Sequence, residues 1–535
     1  MRHTYPLLSS LEEIEALLRQ RFEESFLTLK DLPDPYRFKD MQRAVERIVR
    51  ALQQNEKIVL IGDYDVDGVS ATAIMRRFFE VIDHPLEWVI PNRFRDGYGL
   101  SPTLMPRVEH ADLILTVDNG ISATEAAKLW REKGIDLIIT DHHIVPEQAP
   151  EAYAIVDQKQ KECSFPHEEV CGAQIAWYLC AALNRRLDAG VQMKALLELT
   201  ALAIIADIMP LQHINRPMVQ AGLKLLERSE SPFIRAWRES REQESIRAED
   251  IAFGLAPLLN SAGRVEDASV ACEYLCASNI YEARTLLARL GEYNERRKSL
   301  EQEITEEAME QVRREDPVLV LAAEAWHEGV LGIVAARIAR RFERPAILLT
   351  RTEEGYKGSG RSFGDCHLFD LVSTHRNLLE RFGGHAAAVG LSLRGENLQA
   401  FRESLIEVAG EKCPGEPFRD PAIAGEIDPG LIGWELYRLL EAYEPYGEGN
   451  PRPKFIARGV EILEHRSLGQ EKNHQKYLFA AGERTIEGIE FHTREALPTG
   501  SEADLLFTLG SNSFRGNTTL QLLIEKMLPS QKADR

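Results

Sequence analysis

Three aspartates at alternating positions, Asp63, Asp65 and Asp67, follow the apolar run EKIVLIG. Carboxylates this close together repel one another, and some would take up protons at neutral pH unless a cation lay among them. Residues two apart point to the same side of an extended chain, so the three side chains converge if the strand continues that far. Gly68 would then permit a sharp turn into a helix. The spacing indicates either a solvated loop or a site for divalent cations.

Acids and histidines also follow three further apolar runs. Asp118 follows DLILTV, Asp157 follows AYAIV, and Asp141, His142 and His143 follow IDLIIT. A single DxDxD is more often a solvated turn or a weak calcium site, and a His-His pair is more often hydrogen-bonded structure than a ligand pair. Ligands of open parallel sheets, however, bind at the carboxyl ends of the strands. Four such strands meeting at one edge therefore favour a metal site.

The mixture of aspartate and histidine predicts the ion. Oxygen-rich sites with imidazole suit Mn²⁺, with Mg²⁺ as the alternative and Zn²⁺ less suitable. Two ions about 3.5–4 Å apart can share a bridging carboxylate, activate water and stabilise the leaving oxygen of a phosphate ester. Asp118, which stands alone after its run, is the expected bridge.

The elements that position these residues follow from the apolar pattern. From about residue 57 to 160, short aliphatic runs alternate with amphipathic stretches, which predicts βαβ units and a parallel sheet covered on both faces. Residues 170–280 have a helical pattern, and the charged, proline-free stretch after them predicts a long exposed helix. A second α/β pattern runs from PVLVLAA to about residue 412. Beyond the proline-bearing EKCPGEPFRDPAIAG, short strands predict a small β-barrel or sandwich.

Bulk properties narrow the class of protein. A chain of 535 residues exceeds one domain, and its net charge of −20 disfavours nonspecific coating of nucleic acid while allowing a local basic groove. The seven cysteines contain no CxxC pair, so we expect reduced, mostly buried thiols. The N-terminus lacks the features of a signal peptide, and no run of about 18 apolar residues occurs. We therefore expect a cytoplasmic protein without membrane association.

The motifs DYDVDG, VDNG and DHH resemble those of the DHH phosphoesterase superfamily, and within it the chain resembles the RecJ family of single-stranded-DNA-specific exonucleases. The similarity extends from roughly residue 35 to 455. It includes PNRFRDGYGLS, GLAPLLNSAGR, WHEGVLGIVAARIARRF, GSGRS, FGGHAAAVGLSL and EPYGEGNPRPKF.

The resemblance implies an α/β fold with a parallel-sheet DHH phosphoesterase domain, a long linking helix, a second α/β DHH-associated domain and a C-terminal β-barrel of the OB-fold type. We place these parts as follows: an N-terminal segment at 1–45, the DHH domain with its helical part at 46–280, the connecting helix at 281–316, the DHH-associated domain at 317–412 and the OB-fold at 413–535.

The resemblance also assigns site residues. The implied metal ligands are Asp65, Asp67, Asp118, His142 and Asp207, with Asp63 and His143 close by. Asp207 comes from the resemblance alone, because ALAIIADIMP reads equally well as a buried helix. Many members of the superfamily have histidine where this chain has Ile61, so one metal site is expected to be weaker or to depend more on Asp63.

Substrate residues come from the same motifs. The implied substrate-binding residues are Arg93, Tyr98, Arg264, Ser359, Arg361 and His385, with His143, Arg264 and His385 as candidate catalytic residues. Arginine suits a bidentate phosphate contact, and an aromatic ring can stack on a base. The alternatives without a role in substrate binding are a glycine-rich turn for GSGRS, a surface ion pair for Arg264 and a packing anchor for Tyr98.

The implied function is 5′→3′ exonucleolytic hydrolysis of single-stranded DNA to mononucleotides by a two-metal mechanism, in DNA repair and recombination. One alternative is an oligonucleotide or cyclic-dinucleotide phosphodiesterase of the same superfamily, and another is a non-catalytic DNA-binding scaffold. The resemblance implies a single-strand-binding protein and a RecQ-type helicase as partners, and we expect a monomer.

Overall fold

The computed structural model describes residues 5–22, 26–97, 99–241, 245–413, 420–469, 472–491, 493, 495–514 and 517–530. The chain divides into two compact units. One consists of Met1–Leu32, Ile208–Gln220 and Arg419–Arg535, and the other of Pro33–Asp207 and Ala221–Phe418. Among the described residues, no helix combines the length and the apolar character needed to cross a membrane.

The chain begins with β1 (Leu7–Leu8) and α1 (Leu11–Arg19). The first α/β domain follows. Its elements are α2 (Met41–Gln54), β2 (Ile58–Ile61), α3 (Val66–Val81), β3 (Glu87–Val89), α4 (Met105–Val108), β4 (Leu113–Val117), α5 (Thr124–Glu132), β5 (Asp136–Thr140) and β6 (Ala154–Val156).

The strands of this domain form a parallel sheet in the order β3-β2-β4-β5-β6. Ile61 and Trp130 are buried together in the core between the sheet and α5, so Ile61 packs as an ordinary core residue. The predicted parallel sheet is confirmed. β3 was not predicted, because it has only three residues and buries only one of them.

A helical region completes this domain. Its helices are α6 (Gly172–Leu187), α7 (Leu197–Ala206), α8 (Asn215–Arg228), α9 (Pro232–Glu239), α10 (Ala248–Asp250), a π-helical turn (Ile251–Leu255), α11 (Ala256–Val265) and α12 (Ser269–Leu275). The predicted long helix is α13 (Ile280–Gln311), whose N-cap Asn279 accepts hydrogen bonds from two backbone N–H groups.

The second α/β domain contains β7 (Leu319–Ala323), α14 (Leu331–Phe342), β8 (Ala346–Thr352), β9 (Gly355–Arg361), α15 (Leu368–Ser373), β10 (Arg381–His385), β11 (Ala388–Leu393) and α16 (Leu398–Lys412). The strand order is β10-β11-β9-β8-β7, with only β7 and β8 parallel. α14 covers one face of this sheet, and α15 and α16 cover the other.

The cysteine expectation is wrong for one pair. Cys366 and Cys413 form a disulfide, because a loop of the second sheet domain and the end of α16 bring their Cα atoms within 4.7 Å. The two cysteines are 47 residues apart, so their spacing in the sequence did not predict the pairing. The other five cysteines are free, and three of them are buried.

The last unit is a β-barrel with flanking helices. It contains β12 (Ile423–Ile427), α17 (Trp434–Ala442), β13 (Lys454–Leu468), β14 (His474–Ala481), β15 (Arg484–Glu490), β16 (Glu502–Phe514) and β17 (Asn517–Pro529). β13 pairs with both β14 and β16, which closes the five strands β13–β17 into a barrel. The predicted C-terminal barrel is confirmed.

Candidate metal centre and substrate cleft

The carboxyl edge of the parallel sheet gathers the expected ligands around His142, which follows β5. Its Nε2 atom lies 3.2 Å from Asp118 Oδ1, 3.6 Å from Asp67 Oδ2 and 3.7 Å from Asp207 Oδ2. Asp118 follows β4 with a left-handed backbone, φ 62°, which aspartate tolerates better than most residues. The neighbouring parallel strands β4 and β5 thus deliver Asp118 and His142 to one point, as the sequence predicts.

The local geometry of the three spaced aspartates differs from the predicted extended chain. β2 ends at Ile61, so Asp63 lies in the loop, Asp65 is the N-cap of α3, and Asp67 lies in its first helical turn. The Asp65 side chain accepts a hydrogen bond from the Gly68 N–H at 3.1 Å. Gly68 is needed for close approach rather than for a turn, because a Cβ there would lie 2.6 Å from the Asp63 backbone.

Asp67 is held by the start of α6. Its two carboxylate oxygens accept hydrogen bonds from the Gly172 and Ala173 N–H groups, at 2.6 and 2.8 Å. A helix N-terminus favours a negative charge at this place. Gly172 also leaves room for Asp118, since a Cβ on Gly172 would lie 2.5 Å from the Asp118 Cβ. The sequence gives no sign of this support, because α6 starts more than a hundred residues after Asp67.

The electrostatics of the cluster indicate a site for cations. Burial and neighbouring carboxylates raise the pKa values of Asp63, Asp118 and Asp207 well above the ordinary range. Burial lowers the pKa of His142, so its imidazole is neutral at pH 7 and able to act as a ligand. Within the part of the chain that the structure describes, Asp63 Oδ1, Asp118 Oδ1 and Asp207 Oδ2 are buried without a hydrogen-bond donor. Divalent cations would satisfy these oxygens.

The ligand atoms fall into overlapping groups. Asp67, His142 and Asp207 form one group and Asp63, Asp65 and Asp118 another, with the ligand atoms of each group within 4.8 Å of one another. Asp118 also groups with His142 and His143. This overlap makes Asp118 the best placed carboxylate to bridge two ions.

Asp141 supports the ligands without joining them. Its Oδ1 accepts hydrogen bonds from the N–H groups of His142 and His143 and contacts His143 Nδ1 at 2.7 Å, while its Oδ2 accepts from the Ile121 N–H. Burial opposes the charge of His143, but the hydrogen bond and charge of Asp141 raise the pKa of His143 to about 9. His143 therefore carries a proton beside the cluster in the absence of metal.

Asp207 enters from a helix rather than a strand. It is the C-cap of α7, whose residues from Ala201 to Ala206 are all apolar, and this explains why strand patterning could not identify it. α3 and α7 pack together, so the helix that begins at Asp65 lies beside the helix that ends at Asp207.

Three arginines lie next to the metal cluster. Burial, together with Arg93 and Arg361, lowers the pKa of Arg264 to about 10, and burial and Arg93 lower the pKa of Arg361. Arg264 donates to the Gly329 carbonyl at 3.3 Å, and Arg93 lies 4.8 Å over the Tyr64 ring. Half-buried guanidinium groups that repel one another, with no ion pair to a carboxylate in the described residues, form a candidate site for an anion.

The second sheet carries the remaining candidate phosphate-binding residues. Arg361 donates to Ser359 Oγ at 2.9 Å. Ala388 pairs with both Arg361 and His385, so these two side chains share one face of the sheet at roughly 10 Å, the width of two strand spacings. His385 is exposed there. Tyr98 lies outside the described residues.

Helix α11 holds the start of α3 in place, a role that the sequence did not predict. Asn260 Oδ1 accepts a hydrogen bond from the Val66 N–H at 3.1 Å, and a Cβ on Gly263 would lie 2.5 Å from the Tyr64 carbonyl. The NSAGR motif therefore holds the start of α3 while it delivers Arg264.

Three family models match consecutive parts of the chain. The DHH family N-terminal domain matches residues 57–204, the DHHA1 domain matches residues 315–411 and the RecJ OB domain matches residues 423–526.

Relatives match over nearly the whole length. The "Single-stranded-DNA-specific exonuclease RecJ" of Haemophilus influenzae is 34% identical, covering 98% of this chain and 96% of that protein. The protein of the same name from Escherichia coli is 34% identical over 91% of this chain and 90% of its own. A crystal structure of RecJ in complex with Mn²⁺ from Thermus thermophilus superimposes with a TM-score of 0.83 at 28% identity, covering 99% of this chain and 80% of that one.

Proposed function

We propose, from the premise that this chain belongs to the RecJ family of single-stranded-DNA-specific exonucleases, that it hydrolyses single-stranded DNA from the 5′ end and releases mononucleotides. The observation that carries the proposal is the buried carboxylate–histidine cluster with donor-less oxygens beside three arginines. Such a site combines metal ligands with an anion site. The implied setting is DNA repair and recombination.

The residues fit Mn²⁺ or Mg²⁺, and the related Thermus protein has structures in complex with each of these ions. Asp65, Asp67, Asp118, His142 and Asp207, with Asp63 close by, would hold two ions. When bound, the ions supply a water nucleophile at neutral pH and neutralise charge on the phosphate. Ile61 packs in the core and offers no ligand atom, so one of the two ions would rely on the oxygens of Asp63, Asp65 and Asp118.

The chain's own residues would orient the substrate. Arg361 and Ser359 bind the 5′-terminal phosphate, while the half-buried Arg264 binds a phosphate oxygen nearer the metals. His143 holds a proton next to the cluster and is suited to give it to the leaving oxygen. His385, on β10 of the second sheet, would contact the scissile phosphate.

The other functions fit the site less well. An oligonucleotide or cyclic-dinucleotide phosphodiesterase has no need of the barrel at 423–526, which gives a longer strand a further binding surface. A non-catalytic scaffold has no need of a complete ligand set with uncompensated buried charge.

The experiment that tests the substrate class compares equal concentrations of a single-stranded oligonucleotide, a dinucleotide and a blunt duplex in Mn²⁺. The single strand should be digested at least about tenfold faster than the others, a difference of about 1.4 kcal/mol in activation free energy. Preference for the dinucleotide would support the alternative phosphodiesterase. The same assay in EDTA should show no digestion.

The predicted partners extend this function. A single-strand-binding protein and a RecQ-type helicase would supply the unpaired strand, and the chain would act as a monomer. Sedimentation of the purified protein, alone and with each partner, tests these expectations.

A further inference from the structure

Phe94 is an exposed aromatic residue on a well-held turn beside the arginine cluster. Its side chain is 38% exposed. Asn92 holds the turn, because its side-chain oxygen accepts a hydrogen bond from the Phe94 N–H at 3.0 Å and its amide donates to the Glu266 carbonyl at 3.0 Å. Glu266 directly follows α11, which carries Arg264. The ring therefore has a defined place next to the proposed anion site but is not buried by packing.

His327, from the second α/β domain, meets this ring. The two ring centroids are 5.4 Å apart with an interplanar angle of 77°, an edge-to-face pair. The Gly329 N–H donates to His327 Nδ1 at 3.2 Å, which leaves the proton of the neutral imidazole on Nε2. Burial and the charges of Arg296 and Arg93 lower the pKa of His327, so the ring is neutral at pH 7.

The ring pair lies close to both parts of the proposed site. Arg93, the neighbour of Phe94, covers the Tyr64 ring, and Tyr64 stands between two aspartates of the metal cluster. On the other side, Arg264 donates to the carbonyl of Gly329, two residues after His327. A nucleotide whose phosphate is bound by the arginines would place its base within reach of these rings.

We propose that Phe94 and His327 form a nucleobase subsite, in which an unpaired base stacks on Phe94 and His327 Nε2–H donates a hydrogen bond to the same nucleotide. This rests on the proposed function and deepens it, because it names residues that select single strands. Every type of base can stack on an aromatic ring, since each base has a π-face. A base inside a duplex is covered on both faces by its neighbours and cannot stack on a protein ring.

The test measures binding without hydrolysis. Wild-type protein in EDTA is titrated against 5′-phosphorylated, fluorescently labelled ten-nucleotide single strands, in which an abasic residue replaces each of the first four nucleotides in turn. We expect one abasic position to weaken binding about tenfold, the size of one base–aromatic stack. The other positions should have smaller effects.

The variants are Phe94→Ala, Phe94→Trp and His327→Ala, with Phe253→Ala as the matched control because Phe253 is 83% exposed and lies in the π-helical turn. Phe94→Ala should bind intact DNA about tenfold more weakly and should lose the sensitivity to that one abasic position. Phe94→Trp should bind like wild type, and Phe253→Ala should change nothing. Thermal unfolding of each variant confirms that it is folded.

Two results would overturn the subsite. One is wild-type affinity of Phe94→Ala for intact DNA. The other is that Phe94→Ala binds every abasic strand more weakly than wild type by the same factor, because the ring would then not stack on any one base. Failure of the proposed function looks different, since wild-type protein would then neither bind nor digest the intact strand, and the subsite would fail with it.

Discussion

Asp118 Oδ1 lies 3.2 Å from His142 Nε2, although the two residues follow different strands and are 24 positions apart. Burial and four other carboxylates raise the pKa of Asp118 well above its ordinary value, whereas burial lowers the pKa of His142. A carboxylate and an imidazole at this distance would normally form an ion pair. Here both shifts favour the neutral forms, because the site is buried and crowded with carboxylates, and a bound cation would offset that cost.

Asp118→Asn should abolish hydrolysis, with a loss on the order of 10³-fold, because an amide is a poor bridging ligand. The same change should raise the thermal stability of the protein in EDTA, since it removes one member of a repelling cluster. Activity assays measure the first effect, and differential scanning calorimetry with and without Mn²⁺ measures the second. Asp112→Asn, at the opposite end of β4, is the control and should retain activity. Full activity in Asp118→Asn would exclude this residue as a ligand.

Asp141→Asn should change the pH dependence of hydrolysis. The carboxylate of Asp141 raises the pKa of His143 to about 9, so removing its charge should let His143 lose its proton at lower pH. If protonated His143 assists the leaving group, the alkaline limb of the pH–rate profile should move to lower pH in the variant. An unchanged alkaline limb would mean that His143 does not act as the acid.

Arg361→Ala should remove preference for a 5′-phosphate. Charge-assisted hydrogen bonds contribute about 1.5–3 kcal/mol, so a wild-type preference of about tenfold or more over 5′-hydroxyl DNA should fall to near one. The ratio of kcat/KM for the two substrates measures this. Arg394→Ala is the control, because Arg394 pairs with Glu380 on the same sheet. A preference that survives in Arg361→Ala would place the terminal phosphate elsewhere.

Asp157→Asn should stabilise the metal-free protein at alkaline pH. Burial raises the pKa of Asp157 from 3.8 to about 7, so this carboxyl favours folding at low pH, and that contribution is lost as pH rises toward and through 7. Removing the charge should raise the free energy of unfolding by at most about 4 kcal/mol, more at pH 8 than at pH 5. Urea unfolding in EDTA at both pH values gives the comparison. An equal effect at pH 5 and pH 8 would contradict the shift.

The sequence predicted that side chains following neighbouring strands would meet, because parallel strands present their ends at one edge. Asp118 and His142 are of this kind. Asp207 was found only through resemblance, since it ends an apolar helix that carries no sign of a site. The three spaced aspartates were expected on one side of an extended strand, whereas Asp63 lies in a loop, Asp65 caps α3 and Asp67 lies in its first turn.

Sequence patterns could not predict the contacts by which distant parts of the chain hold the site residues in place. Gly172 on α6 lies against Asp118 and donates to Asp67, and the Asn260 side chain on α11 accepts a hydrogen bond from the Val66 N–H. Both contacts depend on the packing of whole helices. The Cys366–Cys413 disulfide and the short strand β3 were missed for similar reasons, since neither has a local pattern strong enough to predict it. The sequence therefore predicted the contacts that parallel strand ends dictate and missed those that depend on how helices and loops pack.

The central claim is the direction of digestion. Matched single strands that carry a label at the 5′ or the 3′ end should be incubated with the protein in Mn²⁺, and the products resolved by length. We predict that the 5′ label appears at once as a mononucleotide, while the 3′ label passes through a ladder of shortening strands. Release of the 3′ label as a mononucleotide first, with a ladder from the 5′ label, would contradict the account.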